Sequence, residues 1–348
     1  MMKPKFHLKM VLLKLSAALP ESWVRGAMRC AVATLLAGAA LLSLRGDEIA
    51  PQSSNTNHPF RLAFTTSMFT EVNVNDARAA MKVWIMTVAK ERSIPVDPEL
   101  RIYQNAEELL QDCRTNEVDG FGLVTPEFAR LSQTMEFDRL AVGMRGGSLI
   151  EEYVLLVRQD SGVDKLEQLQ GRKLNVFESP RMDLGSIWLD SLVLQARHQH
   201  VADFFGQVKS FNKASRVALP VFFHQADACL LTRSSFLLMG ELNPQLGQQM
   251  RILAVSPAMV PSCFAFRKDF VSPYRSQLLA EMSRMNETPA GQQILTLTQT
   301  DQIQEQPVSC LDDALKMLAE HQLFCAAAIP TNAPGTNASM KPITRGGG

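Results

Sequence analysis

The sequence predicts an α/β protein of two lobes, each built on a mostly parallel central sheet. Three observations carry this reading. Strand-like runs that are apolar on both faces alternate with amphipathic stretches of helix length, the pattern of a parallel sheet covered on both sides. The same grammar then repeats in the second half of the chain. Between the halves lies 151–181, EEYVLLVRQDSGVDKLEQLQGRKLNVFESPR, two strand-like runs joined by a polar loop, which reads as the passage between lobes. A length of 348 residues favours two domains, and an apolar share of 46% is ample for their cores.

The N-terminus is set apart by charge. Residues 1–46 hold 7 of the 35 Lys and Arg but 1 of the 35 Asp and Glu, leaving 28 basic against 34 acidic residues in the remainder. A mildly acidic body with no basic, aromatic-interleaved face excludes nucleic acid as a partner class. Lys3, Lys5, Lys9, Lys14, Arg25 and Arg29 precede the uncharged run Cys30–Leu44, and Asp47-Glu48 follow it. That order predicts a signal peptide, with the body exported to the periplasm or another extracytoplasmic space. Met28 opens a shorter segment of ordinary signal-peptide form. Because Leu44-Arg-Gly is not a small-x-small cleavage site, an uncleaved anchor in the inner membrane is the alternative. Residues 47–58 are polar and turn-forming, hence a linker.

Each element follows in order. Phe60–Phe64 reads as a strand, followed by Thr65-Thr66-Ser67. Asn73 or Asn75 can cap a helix to about Glu91, with Ala77, Met81, Trp84, Ile85 and Val88 on one stripe. Leu100–Tyr103 is a strand, and Asn105 opens a helix ending near Asn116. Val118–Val124 is a strand, and Thr125-Pro126 starts another helix with Pro at its tolerated first position. Leu140–Met144 and Tyr153–Val157 are strands. Lys165–Leu169 is a helical turn, Lys173–Phe177 a strand, and Met182–Arg197 a helix. Gly206–Phe211, Ala226–Leu231, Arg251–Val255 and Cys263–Phe266 are strands. Lys213–Gln225, Pro273–Asn286 and Leu311–Glu320 are helices. From Ala326 onward the composition is too poor in large apolar residues to pack. The domain expectation is 59–157 as the first part of lobe one, 158–263 as lobe two, 264–325 as the return to lobe one, and 326–348 as a disordered tail.

Motif-based chemistry is missing. The chain has no GxGxxG, Walker A, GxSxG or HExxH, so no catalytic residue, cofactor or metal site is assigned. His198 and His200 would face different ways on a helix, and His224 reads as a helix-end hydrogen-bonder. The pairs Glu107-Glu108 and Glu151-Glu152 read as solvated faces. Beyond Cys30, Cys113, Cys229, Cys263, Cys310 and Cys325 form no CxxC, and an odd number cannot all pair within the chain. Cys113 alone lies in a polar helical context, without an evident His partner.

What remains is a set of polar turns at the C-terminal ends of strands, where open α/β sheets bind ligands. They are Thr65, Thr66 and Ser67; Thr125; Ser179 and Arg181; Asn212 and Ser215; and Thr232-Arg233. Hydroxyls and amides at helix starts suit an oxyanion, although Ser, Thr and Asn also stand there as plain caps. Five such turns together point to a cleft for a small anion, with Thr65, Thr66, Ser67 and Thr125 from lobe one and Ser179, Arg181, Asn212, Ser215 and Arg233 from lobe two.

The order of these segments resembles the periplasmic solute-binding proteins of phosphate and phosphonate ABC transporters, with a type II periplasmic-binding-protein fold. Leu109–Phe128 (LLQDCRTNEVDGFGLVTPEF) is similar to the family's helix, "G-x-V-D" strand and "G-P-x-x-Y" segment. Tyr153–Gly162 with Leu166–Phe177 is similar to its crossover, and Phe223–Cys229 to its second "G-x-v-D-a-a", with Gln225 where glycine is usual. The resemblance implies two α/β lobes on a two-strand hinge, closing on a small ligand and delivering it to a membrane ABC permease as a monomer, without catalysis. It also departs from the family. The lobe-two loop, a Ser-Thr-Ser-Gly type turn in the family, reads Glu178-Ser-Pro-Arg-Met-Asp-Leu-Gly185 here. The alternative expectation is a sensory or scaffold protein of the same fold, signalling to a membrane partner without transport.

Overall fold

The computed structural model describes residues 58–69 and 72–328. The expected signal or anchor, almost all of the linker, and all but the first three residues of the expected tail lie outside this range. No helix among the described residues is long and apolar enough to cross a membrane.

Two mixed sheets form the framework. The first contains β1 (Leu62–Thr65), β2 (Arg101–Tyr103), β3 (Gly120–Val124), β4 (Arg139–Met144), β10 (Ser262–Phe266) and β11 (Gln302–Pro307), in the order β11-β4-β10-β3-β1-β2. The second contains β5 (Tyr153–Arg158), β6 (Lys173–Phe177), β7 (Gln207–Phe211), β8 (Ala228–Thr232) and β9 (Met250–Val255), in the order β7-β6-β8-β5-β9. β2-β1-β3-β10-β4 and β7-β6-β8-β5-β9 are the same arrangement. In each, three parallel strands meet one antiparallel strand contributed from across the lobe boundary. Strand directions are therefore mostly shared, as the apolar runs predict.

Helices cover both faces. Lobe one carries α1 (Val74–Arg92), α2 (Ala106–Arg114) and α3 (Thr125–Leu131). Lobe two carries α4 (Asp183–Arg197), α5 (Val201–Phe204), α6 (Ala214–Phe222), α7 (Arg233–Leu242) and α8 (Pro244–Gln249). The chain then returns through α9 (Arg275–Ser283), α10 (Pro289–Leu297) and α11 (Asp312–Ala328). Asn73 caps α1, its side chain accepting the Asn75 N–H at 2.8 Å. Asn105 caps α2 through the Glu108 N–H at 2.9 Å. Each sheet has an apolar cluster on either face. α11 spans both lobes: Leu315 packs on the lobe-one cluster, and Ala314, Met317 and Leu318 on the lobe-two cluster. It also runs through Ala328, past the predicted end.

The crossing lies earlier than the sequence suggests. Tyr153–Arg158 is the penultimate strand of the second sheet, paired with β8 and β9, not the last of the first lobe. The lobes are joined instead by 145–152 going out and 256–261 coming back. Glu151 and Met259 tie these two together through N–H···O bonds of 2.7 and 2.9 Å. A run apolar on both faces must be buried on both sides, and nothing local says in which sheet.

Candidate functional site

The C-terminal ends of the parallel strands in both sheets face the crossing segments. In lobe one, β1 delivers Thr65 and the 3-10 turn Thr66–Phe69 delivers Ser67. Their hydroxyls donate to one carboxylate, that of Glu127 in the first turn of α3. Thr65 Oγ1 lies 2.6 Å from Oε2 and Ser67 Oγ lies 2.9 Å from Oε1. The chain's own acid thus occupies the lobe-one hydroxyl cradle. Thr66 turns away and donates to the Gln104 carbonyl at 3.1 Å. Thr125 is buried and structural: its hydroxyl donates to the Val260 carbonyl at 2.6 Å and its N–H to that of Pro261 at 2.9 Å. It staples the start of α3 to the returning crossing segment.

In lobe two, β6 leads into Ser179 and Arg181, both buried. Arg181 is 1% exposed, and its Nε donates to Glu151 Oε2 at 3.1 Å. Its two terminal nitrogens and the Ser179 hydroxyl are buried with no hydrogen-bond partner. Leaving such donors unpaired costs about 1–3 kcal/mol each, more for a charged group, so a built but unsatisfied donor set marks a place for an acceptor. The position of Arg181 is fixed on two sides. Tyr153 Oη donates to its carbonyl at 2.8 Å, and Glu151 is held in turn by Ser234 Oγ at 2.7 Å. Glu151 is therefore buried within the site, not part of a solvated face: a guanidinium removed from water needs a counterion. Its sequence neighbour Glu152 pairs with Arg233 at 2.8 Å. That arginine is thus engaged at the mouth of a groove of about 500 Å³ beside the crossing, also lined by Arg145 and Asp301. Asn212 and Ser215 are exposed, at the end of the edge strand β7.

A third component stands at the start of α4. Asp183, at the first position of α4, has its carboxyl pushed up to about 7 by burial, with the charges of Glu127 and Glu178 adding to the effect. Glu127 comes from lobe one and Asp183 from lobe two, so the two lobes bring like charges together. Lobe two thus holds the unsatisfied Ser179–Arg181 donor pair at the end of β6, and Glu127, Glu178 and Asp183 form a group of acids about the start of α4. Sequence reasoning missed Glu127 and Asp183 because an acid in the first turn of a helix is an ordinary favourable placement.

Nucleophilic chemistry has no support here. Cys113 is buried and its thiol is pushed up to about 12 by burial, which holds it in the inert protonated form. All five cysteines among the described residues are free.

The chain shares its fold with solved proteins of low sequence identity. A Xanthomonas citri protein bound to ATP is 16% identical, with a TM-score of 0.54 over 78% of this chain and 98% of that one. A binding-protein component of an ABC phosphonate transporter from Pseudomonas aeruginosa is 13% identical, with a TM-score of 0.51 over 80% and 91% of the two chains. No curated protein matches the chain in sequence. A family profile described as "ABC transporter, phosphonate, periplasmic substrate-binding protein" matches residues 68–307. This is a family of binding proteins rather than enzymes, and the chain belongs to it.

Proposed function

We propose that this chain is an extracytoplasmic solute-binding protein. Its inter-lobe cleft takes a small oxyanion-bearing ligand on Ser179 and Arg181, and its closed form is presented to a membrane ABC permease. The observation that carries this reading is the buried guanidinium of Arg181 with both terminal nitrogens unpaired beside the unpaired Ser179 hydroxyl. Arg is the side chain best matched in shape to a phosphonate, phosphate or carboxylate, through two parallel N–H···O bonds. The group of acids adds a second requirement. Glu127 already fills the hydroxyls of Thr65 and Ser67, and a bare dianion would meet three carboxylates. A ligand that pairs its oxyanion with an ammonium group satisfies both halves of the site.

The test is thermal unfolding of the purified protein with inorganic phosphate, an alkylphosphonate and an aminoalkylphosphonate. A ligand at 100 times its dissociation constant stabilises the folded state by about 2.7 kcal/mol. The aminoalkylphosphonate is expected to give the largest rise in Tm. Equal, negligible shifts with all three would overturn the reading. They would favour instead a sensory or scaffold role, for which the self-filled lobe-one cradle is the specific structural support.

A further inference from the structure

Midway along α4, that helix and α11 bring three metal-ligating side chains together. His321 and Cys325 stand one turn apart on α11, at the i, i+4 spacing that places two side chains on the same face. Asp190 reaches them from α4. Asp190 Oδ2 lies 2.9 Å from His321 Nε2, and Cys325 Sγ lies 3.5 Å from the same nitrogen. One ligand atom from each of the three lies within 4.8 Å of the others. Without metal the three can form a hydrogen-bonded chain, His321 Nε2–H donating to Asp190 and the Cys325 thiol donating to Nδ1 at 3.8 Å, and these are the groups that a metal ion would draw together.

We propose that Asp190, His321 and Cys325 form a binding site for a zinc-class divalent transition metal, with His200 as the fourth ligand. Zinc bonds of about 2.0–2.1 Å to nitrogen or oxygen and about 2.3 Å to sulfur put tetrahedral N···S edges near 3.6 Å and N···O edges near 3.3 Å. The 3.5 Å Sγ–Nε2 separation already fits, and the 2.9 Å Oδ2–Nε2 contact opens by only a few tenths of an ångström. The carboxylate is aimed by its surroundings: Asp190 Oδ1 accepts the Val201 N–H at 2.8 Å, which leaves Oδ2 for the cluster. Such outer bonds orient metal ligands. His200 Nδ1 also lies 2.9 Å from Oδ2, on an imidazole exposed enough to rotate inward. α4 ends at Arg197, so His198 and His200 do not share a helix and His200 is free to join the cluster. The mixed nitrogen, sulfur and oxygen set suits Zn²⁺ or Co²⁺ over Mg²⁺ or Ca²⁺. Coordination sends the Cys325 thiol proton to solvent and pins the C-terminal part of α11 to lobe two.

The inference is independent of the cleft ligand and is tested by titrating the full chain with Co²⁺ and displacing it with Zn²⁺. The expected result is one metal per chain, tetrahedral ligand-field bands and a near-ultraviolet thiolate-to-cobalt charge-transfer band. Cys325→Ser should remove the charge-transfer band, and His321→Ala should weaken binding by more than roughly tenfold. Cys113→Ser, in another cluster, should change neither. Zn²⁺ should also raise the Tm of the parent chain and not that of His321→Ala. An octahedral cobalt spectrum, or a charge-transfer band that survives Cys325→Ser, would overturn the site.

Discussion

Ser179 and Arg181 gain their meaning from what does not touch them. A buried serine hydroxyl with no partner weakens the unliganded protein and is useful only when an acceptor arrives. Ser179→Ala is therefore expected to leave the Tm of the unliganded protein unchanged or higher, while weakening oxyanion binding about tenfold. Calorimetric titration beside unfolding of the empty protein checks both halves. Parallel loss of stability and affinity would make Ser179 structural. Arg181 is a harsher target, because removing it strands the buried Glu151, a loss of about 3–5 kcal/mol. Arg181→Lys keeps the charge and loses the fork, so it should fold and bind weakly. Ser179 and Arg181 were legible as a polar turn after a strand. Glu151 was not, since its partner lies 30 positions along the chain.

At the level of elements, the approach of α4 to β5 shapes the donor pair. Gly185 sits where a Cβ would come within 2.6 Å of the Tyr153 ring. That ring is fully buried and its hydroxyl holds the Arg181 carbonyl, so it has no room to retreat. Gly185→Ala is expected to destabilise the protein by about 1–3 kcal/mol and to reduce ligand affinity, measured by urea unfolding and titration of the same variant. A neutral substitution would show that the helix can shift without disturbing the site. Helices α1, α2 and α4 could be read from caps and apolar stripes. β11 could not: QIQEQP has one large apolar residue and becomes a strand only because β4 offers an unpaired edge. α7, α8 and α10 were also missed, although Thr232 and Thr288 cap α7 and α10 and Pro244 and Pro289 open α8 and α10; none of the three has an acid in its first turn or a base in its last.

For the whole molecule, the lobes meet across an acidic seam, and this makes closure sensitive to pH. The Asp183 carboxyl rises from an ordinary 3.8 to about 7, through burial first and then Glu127 and Glu178. Between those values the folded chain keeps a proton that the unfolded chain has released. Stability therefore falls as pH rises from about 4 to about 7, then levels off. Asp183→Asn should flatten this slope and stabilise the protein at pH 8 by about 3–4 kcal/mol. Chemical unfolding across the pH range checks it, and an unchanged slope in the variant would refute it. Because Glu127 approaches Asp183 from the other lobe, acidification should also favour the closed form, visible as a smaller radius of gyration in solution scattering.

The sequence by itself determined the alternation of strands and helices, the repetition of that grammar, and the polar turns at strand ends, because these depend on neighbours within a few residues. Only the tertiary structure decided that Tyr153–Arg158 belongs to the second sheet, that Thr125 is a staple and that Glu127 fills the lobe-one hydroxyls. It also decided that Glu127 of lobe one lies close enough to Asp183 of lobe two for their charges to act on one another. Each of these depends on charges and hydrogen bonds between residues far apart in the chain, whose strength is set by burial, a property that a local pattern does not contain.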